Sequence, residues 1–156
     1  MKTGILLALL FSYSCSDSFE LDPTKPIEIG IESINSDDSD YYTINVYMIN
    51  HQPVRGVQIE ISPNSFFEVD SAYGGRSKKN NFELPHNKEG VILCYSLSGS
   101  SIPESSNSTK EKNILFSVAA KLINPINSPI NIIPIIADNS AKKIDYITTP
   151  FEFIGK

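Results

Sequence analysis

The sequence predicts an all-β domain, an antiparallel two-sheet β-sandwich, on three observations. Short apolar runs alternate with polar residues at period two, turn residues recur between these runs, and no stretch joins a helical period to a convincing N-cap. About nine short strands of this kind bury their apolar faces by packing one sheet on another. The chain has 156 residues, enough for one such core and not for two.

The strands are read in order from residue 27. Ile27 to Ile34 alternates isoleucine with Glu28, Gly30 and Glu32. After a turn at Asn35 to Asp40, Tyr42, Ile44, Val46 and Met48 form one face of a second strand, with Thr43, Asn45 and Tyr47 on the other. Val57, Ile59 and Ile61 alternate with Gln58 and Glu60 in a third, opened by Gly56 and stopped by Pro63. Phe66 to Val69 is a short fourth strand, and Gly74 to Asn81 reads as loop. Val91 to Leu97, bounded by Gly90 and Gly99, is apolar on both faces and therefore reads as a central strand. Ser98 to Lys112 is a serine-rich excursion too polar for the core. Ile114 to Ile123 contains alanines, but its Val and Ile content favours a strand. Ile130 to Ala137 is β-rich, and Pro134 assigns it to an edge or a bulge. Ile144 to Ile147 and Phe151 to Ile154 complete the set. Val57, Ile59, Leu93, Phe116 and Val118 are the expected core.

The N-terminus follows the grammar of an export signal. Met1-Lys2 is a basic start, Ile5 to Phe11 is an apolar run, and Ser12-Tyr13-Ser14 leads to Cys15. The run falls short of the roughly 20 apolar residues that a spanning helix needs. It resembles a bacterial lipoprotein leader, which implies acylation at Cys15, although Ser12 stands where that family prefers an aliphatic residue. The expected organisation is a leader over 1–15, a polar tether over 16–26 with two prolines, and one domain over 27–156. Localisation follows as exported, at the cell surface, anchored to the outer membrane or extracellular, or alternatively in a virion, with membrane contact only through the leader or its lipid.

Charge and motif content narrow the function classes. A net charge of −5 with only short lysine pairs, Lys78-Lys79 and Lys142-Lys143, gives no basic footprint for nucleic acid. His51 and His86 sit beside prolines without metal-ligand partners at i+2 or i+4 and read as solvated loop residues. Cys94, between Leu93 and Tyr95, reads as a small buried hydrophobe, so no structural disulfide with Cys15 is expected. Ser98-Gly99-Ser100 lacks the flanking glycines and following helix of a nucleophile elbow and reads as a turn. Asp37, Asp38 and Asp40 are the weak candidates for a metal, calcium, in a hairpin tip that lacks the glycine and distal glutamate of a helical calcium loop. Asn107-Ser108-Thr109 fits a glycosylation sequon but reads as loop. No carboxylate pair, triad or metal cluster is spaced for chemistry, so no enzyme and no cofactor are expected.

With the strands placed, several motifs follow one another in an order that resembles the cohesin family. They are Pro53 to Ile61, then Gly74-Gly75 and Phe82, then Val91 to Gly99 with Ile102-Pro103, and finally Ile114 to Val118. The resemblance covers roughly residues 27 to 154 and implies jelly-roll topology. Cohesins share that superfold with certain carbohydrate-binding modules and bind dockerins, calcium-loaded helical pairs, mainly through one flat sheet face. On this chain the resemblance implies a non-catalytic binding or assembly module for a protein partner, with Gln58, Glu60 and Tyr95 on the recognition face. Two alternatives stand beside it. A carbohydrate-binding module would stack a polysaccharide on Tyr41, Tyr47 and Tyr73, since the chain has no Trp. A virion structural protein would use the sandwich as a particle contact.

Overall fold

The computed structural model describes residues 19–36 and 40–153. The leader with Cys15, the candidate ligands Asp37 and Asp38, and the end of the strand expected at Phe151 to Ile154 lie outside the described residues.

Eight strands form among the described residues: β1 (Ile27–Ser36), β2 (Tyr41–Ile49), β3 (Gly56–Ser62), β4 (Phe67–Tyr73), β5 (Val91–Tyr95), β6 (Ile114–Leu122), β7 (Asn131–Ala137) and β8 (Tyr146–Ile147). They make two sheets, in the orders β4-β6-β2-β1-β8 and β5-β3-β7. Every pairing is antiparallel except the short β1·β8 ladder. The two-sheet jelly-roll sandwich is thus the observed fold. The run expected as a ninth strand is reduced, among the described residues, to a bridge between Phe151 and Ile130.

Bulges set which side chains reach the core. In β1 the register against β2 shifts between Ile31 and Ser33, so Glu32 is the extra residue. Ile31 and Ile34 therefore stand opposite Val46 and Ile44, two inward residues, despite being three positions apart. Asp70 does the same in β4, leaving Val69 opposite Ala120 and Ala72 opposite Val118. The third shift lies in the β2·β6 pairing, where Val46 meets Phe116 and Tyr47 meets Ile114. It leaves Leu115 bulged, and its side chain is fully buried.

Against that bulge lies a short helix, α1 (Gly75–Lys79), inside the segment expected as loop. Five residues have no amphipathic period to read, and Gly74 supplies no side-chain cap. The helix is held by tertiary contacts: the Ser77 hydroxyl donates to the Leu115 carbonyl at 2.7 Å and meets the Cys94 sulfur at 3.2 Å. Arg76 donates Nη1 to the Met48 carbonyl at 2.8 Å, to Ser105 Oγ at 3.0 Å and to Asn113 Oδ1 at 3.3 Å, and Nη2 to the Pro103 carbonyl. Burial pulls the Arg76 guanidinium down to about 10, still fully charged at neutral pH.

These bonds correct the view of Ser98 to Lys112 as wholly outside the core. Ile102 pairs with Val54 and is fully buried, while Ser105 and Asn113 are buried polar residues. The serine-rich excursion is therefore fastened to the end of β2 by satisfied polar bonds.

Val57, Ile59, Phe116 and Val118 are buried as expected, each contributing about 1.5–3 kcal/mol of apolar transfer. Leu93 is not: it is 40% exposed, because the inward parity of β5 belongs to Ile92 and Cys94. Nor is β5 central in its sheet. It ends the ladder, and its outer edge is stitched instead to residues 83–87, with Glu83 and Tyr95 exchanging main-chain bonds of 2.8 and 3.2 Å.

Candidate partner-binding face

The three-stranded sheet has an inner face that packs in the core and an outer face on which Leu93, Ile133 and Ile135 stay exposed. On β3 the alternation is clean: Val57, Ile59 and Ile61 point inward, and Gln58 and Glu60 point outward. Register then fixes the neighbours of these two polar residues. Gln58 lies between Leu93 on β5 and Ile135 on β7, and Glu60 lies between Val91 and Ile133. Tyr95, opposite Gly56, continues the same face.

The structure thus brings Gln58, Glu60 and Tyr95 onto one surface and adds apolar neighbours that the sequence reading did not single out. Leu93 is 40%, Ile133 49% and Ile135 52% exposed. An antiparallel sheet with one solvated face ordinarily carries polar residues there. A group of large apolar side chains around two polar ones, in contact with water, makes this face the candidate interaction surface. Beside it Pro85, His86, Asn87, Val91 and Leu93 line a shallow hollow of about 230 Å³ with mainly apolar walls. At the other end the Ser96, Ser98 and Ser100 hydroxyls form a hydrogen-bonded rim, with separations of 2.9 and 2.8 Å.

Pro134 is what keeps β7 usable as an outer strand. Ile130 and Ile136 use their main-chain groups on the side away from β3, bonding Phe151 and Ile144. By the period of two, Pro134 also faces that side. Its missing N–H removes a donor from the sheet edge and none from the ladder with β3.

The other candidate residues fall elsewhere. Asp40 is exposed, and no group of three or more His, Cys, Asp or Glu able to hold a metal occurs among the described residues. Tyr41, Tyr47 and Tyr73 lie on the outer face of the five-stranded sheet, but Tyr47 is covered. Its hydroxyl donates to Glu28 at 2.7 Å and Lys110 stands 4.8 Å above its ring, so it offers no face to a sugar. Burial and the Glu28 carboxylate push the Tyr47 phenol upward from its usual value. Tyr41 and Tyr73 pair with Lys121 and Ser117 of β6, four residues apart along that strand, or roughly 13 Å. They form no continuous platform.

His86 is exposed as expected, whereas His51 is half-buried. The His51 ring stacks on Phe19 at 5.1 Å, and its Nδ1 accepts the Asp22 N–H at 3.2 Å. It serves to hold the segment before β1 against the end of β2.

Cys94 is buried, and burial pushes its thiol up to about 11, with the Ser77 hydrogen bond pulling the other way. A thiol held protonated is a poor nucleophile. Native protein at pH 8 should therefore leave Cys94 unmodified by a chromogenic disulfide reagent and expose it only on unfolding. Because the folded state holds this proton more tightly than the unfolded state, stability present below about pH 9 should fall as pH rises towards about 11. Denaturant melts of the native chain against Cys94→Ala over that range should show the difference; parallel curves would show that the thiol is not shielded.

No family model matches the chain, and no curated protein matches it in sequence. Solved structures do match it in shape. A non-cellulosomal cohesin from the archaeon Archaeoglobus fulgidus is 17% identical with a TM-score of 0.57, over 81% of this chain and 88% of that one. A type I cohesin from Clostridium thermocellum, solved in complex with a dockerin, is 11% identical with a TM-score of 0.55, over 83% and 93%. The sixth cohesin of scaffoldin B from Acetivibrio cellulolyticus, also solved with a dockerin, is 10% identical with a TM-score of 0.54, over 81% and 96%. The chain has a cohesin-like fold.

Proposed function

We propose that the protein is a non-catalytic binding and assembly module that docks a protein partner on the outer face of β5-β3-β7. The observation that carries this reading is the exposure of Leu93, Ile133 and Ile135 around Gln58 and Glu60 on the outer face of that sheet. The partner is dockerin-like, a compact helical unit able to lay an apolar surface on a flat sheet. The likeness to cohesins solved with dockerins supports this choice. Glu60 makes no hydrogen bond or ion pair across the face among the described residues, so the partner supplies a cation or a hydrogen-bond donor to it. Export through the 1–15 leader and acylation of Cys15 belong to the same reading, which places the module at a cell surface; fatty-acid labelling that leaves Cys15 unmodified would remove the lipid.

The test is comparative capture from the native surface, followed by affinity measurement with the captured partner. Ile135→Asp and Glu60→Lys should each weaken binding by roughly 30-fold or more, the loss associated with a central contact. Tyr73→Asp, on the opposite sheet, should leave it unchanged. A partner that tolerates both face variants and is lost with Tyr73→Asp would move the interface to the five-stranded sheet.

A further inference from the structure

At the end of the sandwich where the chain enters β1, the segment before Ile27 and the turn after β7 enclose a cleft of about 550 Å³. Lys25, Lys142 and Lys143 line it with Gln52, Asp138 and Asp145. None of these residues belongs to the outer face of β5-β3-β7. The ion pairs among the described residues are Lys88–Glu68 and Lys110–Glu28, so the three ammonium groups of the cleft have no carboxylate within pairing distance.

The cleft does not depend on the lysines for its shape. Lys25 N–H donates to the Asp22 carbonyl at 3.0 Å, Ile27 N–H to the Asp145 carbonyl at 3.0 Å, and Ile144 N–H to the Ile136 carbonyl at 2.9 Å. These main-chain bonds fix both walls, and Pro23 and Pro26 stiffen one of them. Asp138 is occupied by its own turn: its Oδ1 accepts the N–H groups of Ser140 and Lys142, each at 2.8 Å. Its charge is therefore spread over two amide dipoles. In a chain of net charge −5, this concave site holds more cations than anions, and a concave wall concentrates their field.

We propose that this cleft binds a phosphate-type oxyanion, carried by a small ligand or by a lipid headgroup. Three lysines offer compact charges with rotatable donors, suited to several oxygens on one centre. Gln52 adds a neutral amide.

The experiment uses the full-length chain labelled with 15N. Inorganic phosphate is titrated at low ionic strength against sodium chloride of equal ionic strength, and binding to phosphatidylglycerol/phosphatidylcholine vesicles is compared with phosphatidylcholine alone. Phosphate should give saturable amide shifts confined to Lys25, Gln52 and residues 138–145, with half-saturation on the order of 1 mM and no counterpart in chloride. The triple variant Lys25→Ala/Lys142→Ala/Lys143→Ala should lose them while keeping the remaining spectrum, and single Lys142→Ala, should the triple variant misfold, should weaken them several-fold. A response to phosphate alone assigns a small ligand, and anionic-vesicle binding lost in the same variants assigns a headgroup. No saturable response to either probe, or equal responses from the lysine variants, would overturn the site.

Discussion

Replacing Gly75 by alanine should lower the stability of the domain by about 3 kcal/mol or more, one of the largest losses expected from adding a single methyl group anywhere in the described chain. Gly75 opens α1 at φ +63, a region that costs any L-residue, and a Cβ there would lie 2.3 Å from the Leu115 carbonyl oxygen, 2.5 Å from its carbon and 2.8 Å from the Ile114 oxygen. All three neighbours are main chain, belonging to the bulged part of β6 that pairs with β2, and they cannot turn aside as a side chain would. Relief requires α1 to lift from β6, which would break the Ser77 bond to Leu115 and strain the Arg76 bonds to Met48 and Pro103. Gly74 is the control. Its φ is +74, yet a Cβ there meets nothing within 4 Å, so Gly74→Ala should cost only about 1 kcal/mol. Urea melts of the two variants measure the difference. Equal losses would mean that the helix moves off the sheet freely and that its contacts add little.

The features around Gly75 were the least legible in the sequence, for a physical reason. A five-residue helix has no period to detect, and it exists because Leu115 is bulged towards it, a fact of register between β2 and β6 and not of local composition. The bulges at Glu32 and Asp70 are invisible in the same way: each looks like one polar residue in an alternating run, and only the partner strand reveals the extra position. By contrast β3 was readable residue by residue. Its two faces differ sharply in polarity, so Gln58 and Glu60 could be assigned outward with nothing but parity.

The face itself was half legible. Strands β5 and β7 carry apolar residues on both sides, Ile92 and Cys94 against Leu93, and Ile132 and Ile136 against Ile133 and Ile135. Where both faces are apolar, alternation cannot say which is the core, and from the sequence alone Leu93 reads as inward. On the proposed function, a sheet that docks a partner departs from the polar-out pattern at the docking face, and the signal that would orient β5 is lost there. Pairing with the unambiguous β3 resolves it, since Leu93 and Ile135 stand opposite the outward Gln58.

That assignment of faces makes a sharp contrast in stability. Ile59→Ala should cost roughly 2–5 kcal/mol in denaturant melts, whereas Leu93→Ala should cost under about 1 kcal/mol. Ile59 is fully buried in the middle of β3, opposite Ile92 on one side and Pro134 on the other, between two strands that are themselves fixed at their outer edges. A cavity there has no flexible neighbour to fill it, so the cost should lie towards the upper part of the range. Leu93 already spends much of its surface in water, and its removal takes away area that the isolated domain does not use. The order should invert for binding: Leu93→Ala weakens the partner, while Ile59→Ala, in conditions where it remains folded, leaves the face intact. If Leu93→Ala instead destabilised the domain as much as Ile59→Ala, β5 would have its other side in the core, and the proposed docking face would lose the apolar centre on which it rests.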